Sequence, residues 1–374
     1  MTSVARKKIT QHEAEKRFSL ITGSVSYDDL HDVDIVVEAV FEDMNIKKKI
    51  FAKLDEVCKQ GAILASNTSR LSIDEIGSVT KRPEDVIGCH FFSPANVMRL
   101  LENVRGEKTS PRTMRAAMDF GKKLKKITIL VGNCDGFVAN RIMAFYTQEA
   151  IAMALEGASI EFVDKCAVKF GFAMGPFSMS DLVGIDLGGR QRETNGTADP
   201  SKNIGDLLYK ENRYGQKNGK GFYDYILPEG APKGARPRPA PSEFVSKSIQ
   251  VIAANLGIKN RGKEITEQEV YDRLILPVAN EGMRVVEEGI TEKWSDVDMS
   301  VIFGYAFPKT RGGPLFYARQ MGFEKVVERL QYFQQHSSTG QREYWKPSTL
   351  IVECVKQGEQ DPDRAKKNMV KAKM

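Results

Sequence analysis

The first 132 residues alternate short β-branched runs with amphipathic helical stretches, and this alternation constrains the fold more than any other feature. The predicted strands are Val33 to Ala39 (VDIVVEA), Ala62 to Ser66, Val86 to Phe92 and Thr128 to Val131. The predicted helices between them are Met44 to Lys59, Ser72 to Gly77 and Arg112 to Leu124. This succession is typical of an α/β domain, in which crossover helices connect the strands of a parallel sheet.

The pattern changes after Val131, because no further strand alternates and long helical stretches dominate from Phe137. We therefore place a domain boundary between residues 132 and 133. The stretch 228–241 (PEGAPKGARPRPAP) holds five prolines and two glycines, a composition that excludes a helix or a central strand. It predicts a linker over 228–246 between two all-α domains, 133–227 and 247–357, with a basic tail over 358–374.

The two helical domains share ordered landmarks, which predicts that they are repeats of one another. Three landmarks keep a constant offset of 132: Arg141 with Arg273, Glu149 with Glu281, and Glu156-Gly157 with Glu288-Gly289. Two more follow downstream: Phe170-Gly171 with Phe303-Gly304, and Gly175-Pro176 with Gly313-Pro314. Chance similarity between helical segments is the alternative. Asn140 has no counterpart, since position 272 is Asp272, so we expect only the first copy to touch a ligand.

Composition narrows the class of protein. The net charge of +6 comes from 55 basic and 49 acidic residues that are interspersed, so no one-sided basic surface for nucleic acid is expected. The sequence contains no run of about 18 apolar residues, so it predicts no membrane span. The five cysteines form no CxxC pair, which argues against a metal site and for a reducing compartment.

His90 is the histidine with the clearest chemical context, because it ends a predicted strand. Ligands of open parallel sheets bind at the carboxyl ends of strands, although a packed core histidine fits the same pattern. Glu102 lies twelve residues on, after a predicted helical segment from Asn96 to Leu101. A strand-turn-helix return could bring its carboxylate to the imidazole, where it would fix the tautomer of a general base.

Two further polar clusters stand at comparable positions. Ser66-Asn67-Thr68-Ser69 closes the second strand, and Asn140-Arg141 opens the first long helix after Gly136-Phe137. Turn formation and helix capping are the alternative roles for these residue types. Either cluster alone is a weak indication of a site.

Four ordered segments closely resemble the L-3-hydroxyacyl-CoA dehydrogenases. They are VDIVVEAVFED (33–43), ASNTS (65–69), GCHFFSPANVMRLLE (88–102) and GNCDGFVANR (132–141), and RYGQKNGKGFY (213–223) is also similar. The resemblance covers essentially the whole chain. Its duplicated C-terminal module is similar to the dehydrogenase half of the peroxisomal bifunctional enzymes, which also carry an enoyl-CoA hydratase half. The resemblance implies a Rossmann-type sheet followed by two helical dehydrogenase C-terminal-type domains, and NAD-dependent oxidation of 3-hydroxyacyl-CoA in fatty-acid β-oxidation.

The resemblance also implies the roles of individual residues. His90 corresponds to the catalytic base and Glu102 to its partner, while Ser69 and Asn140 correspond to the contacts of the reacting substrate oxygen. Glu42, Lys47 and Asn67 fall where the family contacts the nicotinamide half of NAD.

One departure from the family pattern concerns the cofactor. The family opens with a strand and GxGxxG, whereas this sequence contains only the lone GxG of Gly219 and Gly221, which opens no helix. We therefore expect an incomplete Rossmann-type domain over 1–132 that lacks the first βαβ unit and binds NAD poorly. A non-catalytic acyl-CoA-binding or interaction protein is the alternative function. The four candidate catalytic residues favour the enzyme, and the missing loop favours the alternative.

The last three residues, Ala372-Lys373-Met374, resemble the Ser-Lys-Leu type of peroxisomal address. An ordinary basic tail on a cytoplasmic protein is the alternative. With the β-oxidation resemblance we expect peroxisomal localisation, with an acyl-CoA substrate and the peroxisomal import receptor as partners.

Overall fold

A five-stranded sheet organises the N-terminal third of the computed structural model, which describes residue 4, residues 9–231 and residues 235–373. Its strands are β1 (Ile35–Glu38), β2 (Ile63–Ser66), β3 (Val86–Phe91), β4 (Leu100–Arg105) and β5 (Ile127–Gly132), in the spatial order 1-2-3-4-5. The first three strands are parallel, β4 runs antiparallel to β3, and β5 is parallel to β4. Within the described residues, β1 pairs only with β2 and forms one edge of the sheet.

The prediction of a helical segment from Asn96 to Leu101 is wrong. Residues 100–101 already belong to β4, which lies between β3 and β5 and hydrogen-bonds to both. Central pairing and burial on both faces decide the conformation of this strand, and they override the weak strand propensity of its polar residues. The sheet is therefore mixed rather than purely parallel.

Among the described residues, this part of the chain has four α-helices: α1 (Gln11–Phe18), α2 (Met44–Val57), α3 (Ile73–Gly77) and α4 (Pro111–Lys123). Asp43 starts α2, because its carboxylate accepts a hydrogen bond from the N–H of Ile46 at 2.9 Å. Helix α2 buries Phe51 and Leu54 in the main core, whereas Ala117 of α4 packs in a separate small cluster on the opposite face.

Alternation along β3 and β4 determines which side chains face the helical part of the molecule. Ile87, Cys89 and Leu101 join the small cluster under α4. Leu100 and Val104 instead join the large core that continues into the helical part. Because His90 and Glu102 have the same parity as the second group, the sheet presents them toward the helices.

The helical part begins directly after β5. It contains α5 (Ala139–Leu155), α6 (Ile160–Phe170), α7 (Pro176–Val183), α8 (Ile185–Thr194), α9 (Ile204–Lys210), α10 (Glu243–Asn255), α11 (Glu267–Glu287), α12 (Trp294–Gly304), α13 (Pro314–Met321), α14 (Phe323–His336), α15 (Thr349–Gln357) and α16 (Pro362–Lys373). The two longest helices, α5 and α11, pack along each other. None of the described helices is both long enough and apolar enough to cross a membrane.

The segment expected as a linker is narrower than 228–246. Residues 238–241 form strand β7 (Arg238–Pro241), which pairs antiparallel with β6 (Tyr223–Ile226), and α10 begins at Glu243. A two-stranded ribbon tolerates prolines, because each strand has a free edge. In the expected tail, α16 buries Ala365 in the core.

Candidate active site

His90 and Glu102 lie directly opposite each other in the ladder of β3 and β4. The imidazole Nδ1 is 2.8 Å from the Oε2 atom of Glu102, whose side chain is completely buried. The predicted hydrogen bond between the two residues is confirmed. The backbone that forms it is a pair of antiparallel strands, not the predicted strand-turn-helix return.

The second oxygen of Glu102 is held by a helix. Oε1 accepts a hydrogen bond from the N–H of Ala139 at 2.9 Å, in the first turn of α5. The free N–H groups at a helix N-terminus carry partial positive charge, which stabilises a carboxylate there. Glu102 therefore links the sheet to α5 and uses both of its oxygens.

Two aromatic rings fix the plane of the imidazole. The ring of Phe92 lies 4.3 Å from that of His90 between centroids, and the ring of Phe137 lies 5.8 Å away. Of the two ring nitrogens of His90, only Nδ1 makes a hydrogen bond within the described residues. Nε2 is therefore the nitrogen that is left to accept a proton.

Asn140, in the first turn of α5, contacts Ser69, in the loop after β2. The Nδ2 atom of Asn140 donates to the backbone oxygen of Ser69 at 3.2 Å, and its Oδ1 accepts from the hydroxyl of Tyr305 at 2.6 Å. Sequence reasoning missed Tyr305, which follows the Phe303-Gly304 landmark without any local sign of a role. Both Ser69 and Asn140 line a cavity of 640 Å³, together with Arg70, Asp135, Gly136, Arg141, Ala144, Phe145, Gln148, Gln191 and Glu281.

Glu42 collects donors from the loop after β2. Its Oε1 accepts from the hydroxyl of Thr68 at 2.7 Å, and from the N–H and hydroxyl of Ser69 at 2.8 and 3.1 Å. Burial raises the pKa of Glu42, but these hydrogen bonds and the charge of Lys47 outweigh it, so the pKa is lowered. Glu42 is an anion that orients the loop bearing Ser69.

Lys47 does not offer a free cation to a ligand. Its side chain is 1% exposed, and its Nζ atom lies 2.8 Å from Oε1 of Glu38 and 3.4 Å from Oε2 of Glu42. Ser66 also donates to Glu38, at 2.7 Å. The structure therefore places Lys47 behind Glu42, as its support.

Asn67 joins the ends of two strands. Its Oδ1 accepts from the N–H of Phe91 at 2.8 Å, so the carboxyl ends of β2 and β3 are held side by side next to that of β1. Such an edge of parallel strands is where nucleotides bind in open α/β sheets. This edge presents the side chains of Asn67 and Glu42. No GxGxxG loop stands in the sequence to hold the pyrophosphate.

Two sequence families match the chain in succession. The 3-hydroxyacyl-CoA dehydrogenase NAD-binding domain matches residues 1–134, and the 3-hydroxyacyl-CoA dehydrogenase C-terminal domain matches residues 136–225. The first match thus includes the N-terminal segment ahead of β1.

Curated relatives are similar over most of this chain. The peroxisomal bifunctional enzyme of Danio rerio is 41% identical over 355 residues, which cover 91% of this chain and 48% of that protein. The peroxisomal bifunctional enzyme of Homo sapiens is 40% identical over 354 residues, which cover 90% and 47%. The chain spans about half the length of these relatives.

A solved structure is similar over most of both chains. The dehydrogenase part of multifunctional enzyme 1 from C. elegans is 30% identical with a TM-score of 0.65, and the match covers 94% of this chain and 78% of that one. The 3-hydroxybutyryl-CoA dehydrogenase of Escherichia coli, at 21% identity and a TM-score of 0.74, shares the fold. Together with the two consecutive family domains, these matches show that the chain belongs to the 3-hydroxyacyl-CoA dehydrogenase family of NAD-dependent oxidoreductases.

Proposed function

We propose that this chain oxidises L-3-hydroxyacyl-CoA to 3-oxoacyl-CoA with NAD in fatty-acid β-oxidation. The observation that carries the proposal is the buried hydrogen bond between His90 and Glu102, whose second oxygen is bound by Ala139, the residue before the cavity-lining Asn140. A base with an oriented imidazole and a nearby pair of polar groups fits the removal of a proton from a secondary alcohol.

His90 acts as the base in this proposal. Its Nε2 takes the proton of the substrate hydroxyl, and the carboxylate of Glu102 stabilises the imidazolium that forms. The N–H of Ala139, at the N-terminus of α5, holds the carboxylate of Glu102 in place. NAD, when bound, accepts the hydride that leaves C3 of the substrate.

Asn140 and Ser69 orient the reacting oxygen. The Nδ2 of Asn140 retains a second N–H beyond the one it gives to the Ser69 backbone, and this N–H can donate to the oxygen. The hydroxyl of Ser69 is held by Glu42 and can turn to donate to the oxygen on C3 of the substrate. Such fixed partners restrict the substrate to one reactive geometry.

On the cofactor side, Asn67 and Glu42 would hold the nicotinamide. The Oδ1 of Asn67 is used by Phe91, which leaves its Nδ2 free among the described residues to donate to the carboxamide. Lys47 supports Glu42 rather than contacting the cofactor.

Steady-state kinetics test the proposal. The purified chain should reduce acetoacetyl-CoA at millimolar NADH, and His90→Gln should lower kcat by about 10³-fold with little change in KM. His31→Gln is the matched control, because His31 is exposed and far along the chain from the site. Equal activity of the His90 and His31 variants would contradict the assignment.

We further propose that 133–227 and 247–357 are two copies of one helical domain. The helices α5, α6, α7 and α8 correspond in order and approximate length to α11, α12, α13 and α14. In the first copy Asp164 accepts from the N–H groups of Phe177 and Ser178, and Asp298 of the second accepts from Leu315 and Phe316. An experimental structure in which Asp164 and Asp298 fail to superimpose would contradict the duplication.

We propose peroxisomal localisation, supported by the names of the relatives, with the import receptor as a partner. The candidate address ends with Met374, which lies outside the described residues, as do the side chains of Ala372 and Lys373. A fluorescent protein fused to the N-terminus should mark peroxisomes, and Lys373→Glu should disperse it to the cytosol, whereas Lys371→Glu should not. Retention of the Lys373 variant in peroxisomes would exclude this address.

A further inference from the structure

The side-chain amide of Asn140 is held at both ends, by two different parts of the chain. Its Nδ2 donates to the backbone oxygen of Ser69 at 3.2 Å, and its Oδ1 accepts from the hydroxyl of Tyr305 at 2.6 Å. A carbonyl oxygen only accepts, so the group facing Ser69 has to be the NH₂. The group facing Tyr305 is then the amide oxygen, and the phenol has to donate.

Tyr305 reaches this position from the second helical copy, 165 residues away from Asn140. It directly follows α12, whose last residue is Gly304. A Cβ atom at Gly304 would lie 2.9 Å from Cδ2 of Leu100 and 3.1 Å from Cε1 of Phe92. Glycine therefore allows the end of α12 to approach the sheet closely enough for Tyr305 to reach the site.

The phenol ring contacts the other half of the site as well. It meets the ring of Phe92 edge to face at 6.1 Å, and Phe92 in turn packs on His90 at 4.3 Å. Burial raises the pKa of Tyr305, and the carboxylate of Glu102 acts in the same direction. The hydroxyl thus keeps its proton and remains a donor to Asn140.

The first copy has no equivalent of this contact. The landmark Phe303-Gly304 corresponds to Phe170-Gly171, so the counterpart of Tyr305 is Phe172, which has no hydroxyl. The counterpart of Asn140 is Asp272, whose carboxylate is bound by Arg329 and Gln268. The hydrogen bond between the Tyr305 hydroxyl and the Asn140 amide is therefore specific to the side of the helical part that faces the candidate active site.

We propose that Tyr305 is a positioning residue of the hydroxyacyl site, and that the second helical copy completes this site by fixing the amide of Asn140. This inference rests on the proposed function, in which Asn140 donates to the oxygen on C3 of the substrate. With Tyr305 in place, the free N–H of Asn140 is already oriented when the acyl-CoA enters. Tyr305 acts through Asn140, so the second copy contributes to the site without touching the substrate, and the expectation that only the first copy touches a ligand stays a prediction.

Calorimetric binding of two ligands tests the inference without catalysis. Acetoacetyl-CoA carries the C3 oxygen and butyryl-CoA lacks it. Tyr305→Phe should weaken acetoacetyl-CoA binding by about tenfold, the value of one hydrogen bond, and leave butyryl-CoA within about twofold. Tyr305→Phe should have no further effect in an Asn140→Ala background. Tyr344→Phe is the matched control, since Tyr344 lies in the same copy as Tyr305 and its hydroxyl donates to Glu149 at 2.5 Å.

Each outcome bears on the inference. Equal losses for both ligands, or additive losses with Asn140→Ala, would show a merely structural role and overturn it. A wild-type chain without preference for acetoacetyl-CoA would overturn both the inference and the role of Asn140. If the preference and its loss are observed but the chain does not turn over, the inference stands and the proposed function fails. With turnover, Tyr305→Phe should lower kcat/KM for acetoacetyl-CoA by at least the same roughly tenfold factor.

Discussion

Arg273 donates from Nε to Glu149 at 2.7 Å, and Arg141 makes the corresponding contact with Glu281 at the same distance. Each arginine lies on one long helix and its glutamate on the other, so the two pairs cross the interface of α5 and α11 in opposite directions. A second pair repeats the relationship, since Arg273 also binds Glu156 and Arg141 also binds Glu288.

The two arginines differ in burial, which predicts different energetic roles. The side chain of Arg273 is fully buried, whereas that of Arg141 is 19% exposed and its partner Glu288 is 45% exposed. Arg273→Met leaves the buried carboxylate of Glu149 without a cation and that of Glu156 with Arg261 alone, and it should lower the free energy of unfolding by about 3–5 kcal/mol. Arg141→Met should cost about 1 kcal/mol, because solvent screens its pair with Glu288 and the buried Glu281 keeps a second cation in Arg284. Urea denaturation measures both, and equal losses would contradict the prediction.

The two hydrogen bonds of Glu102 lead to a second prediction, which concerns the candidate active site. Both of its partners, the Nδ1–H of His90 and the N–H of Ala139, are donors, and the single oxygen of a glutamine amide can satisfy only one of them. Glu102→Gln should therefore lower kcat for 3-hydroxybutyryl-CoA oxidation by about 10²-fold while KM changes little. Glu107→Gln, at an exposed position just beyond β4, is the control. Full activity of the Glu102 variant would remove this residue from the proposed mechanism.

Local patterns in the sequence were sufficient for much of the sheet. Strands β2, β3 and β5 were predicted to within one or two residues, because their apolar runs are bounded by turn residues. Strand β4 was missed, because three of the six residues in LLENVR are polar. They take up their positions in the sheet only when β3 and β5 pair with this strand. The hydrogen bond between His90 and Glu102 was predicted, but the register that places them opposite each other depends on the missed strand.

Long-range contacts explain what the sequence could not predict about the site. The role of Lys47 depends on Glu38, which stands inside a predicted strand and gives no sign that it faces a buried lysine. Tyr305 contacts Asn140 across 165 residues and through the packing of α12 on the sheet. Neither relationship has a periodicity or spacing that reveals it before the chain is folded.

The raised pKa of Asp298 predicts how the free energy of unfolding depends on pH. Burial raises its pKa to about 7, and the N–H groups of Leu315 and Phe316 offset this only in part. In the unfolded chain its pKa is about 4. Between these values the folded state retains a proton that the unfolded state releases, so the free energy of unfolding falls as the pH rises toward 7.

The variant Asp298→Asn isolates this contribution. The difference in unfolding free energy between the wild-type chain and the variant should narrow as the pH rises from about 5 to about 8. Asp181, whose pKa is raised to about 6 by burial, is present in both proteins and cancels from the comparison. Denaturation at several pH values measures the difference, and a gap that stays constant or widens would contradict a protonated Asp298.

The last prediction concerns the affinity of the 374-residue chain for NADH. Dinucleotide binding depends on the N–H groups of a glycine-rich turn at a helix N-terminus, and the sequence has no GxGxxG to form one. In the proposed function, Asn67 and Glu42 hold only the nicotinamide end. Each missing charge-assisted hydrogen bond is worth about 1.5–3 kcal/mol, so the loss of several weakens binding by several powers of ten.

Fluorescence titration of the chain with NADH measures this affinity. Acetoacetyl-CoA binding to the same preparation is the control, because it reports whether the hydroxyacyl site is folded. Weak NADH binding with intact acyl-CoA binding is the expected result, and turnover should then rise with NADH into the millimolar range. A dissociation constant in the low micromolar range would contradict the prediction, because it would require a phosphate-binding site formed by backbone groups outside any glycine-rich loop.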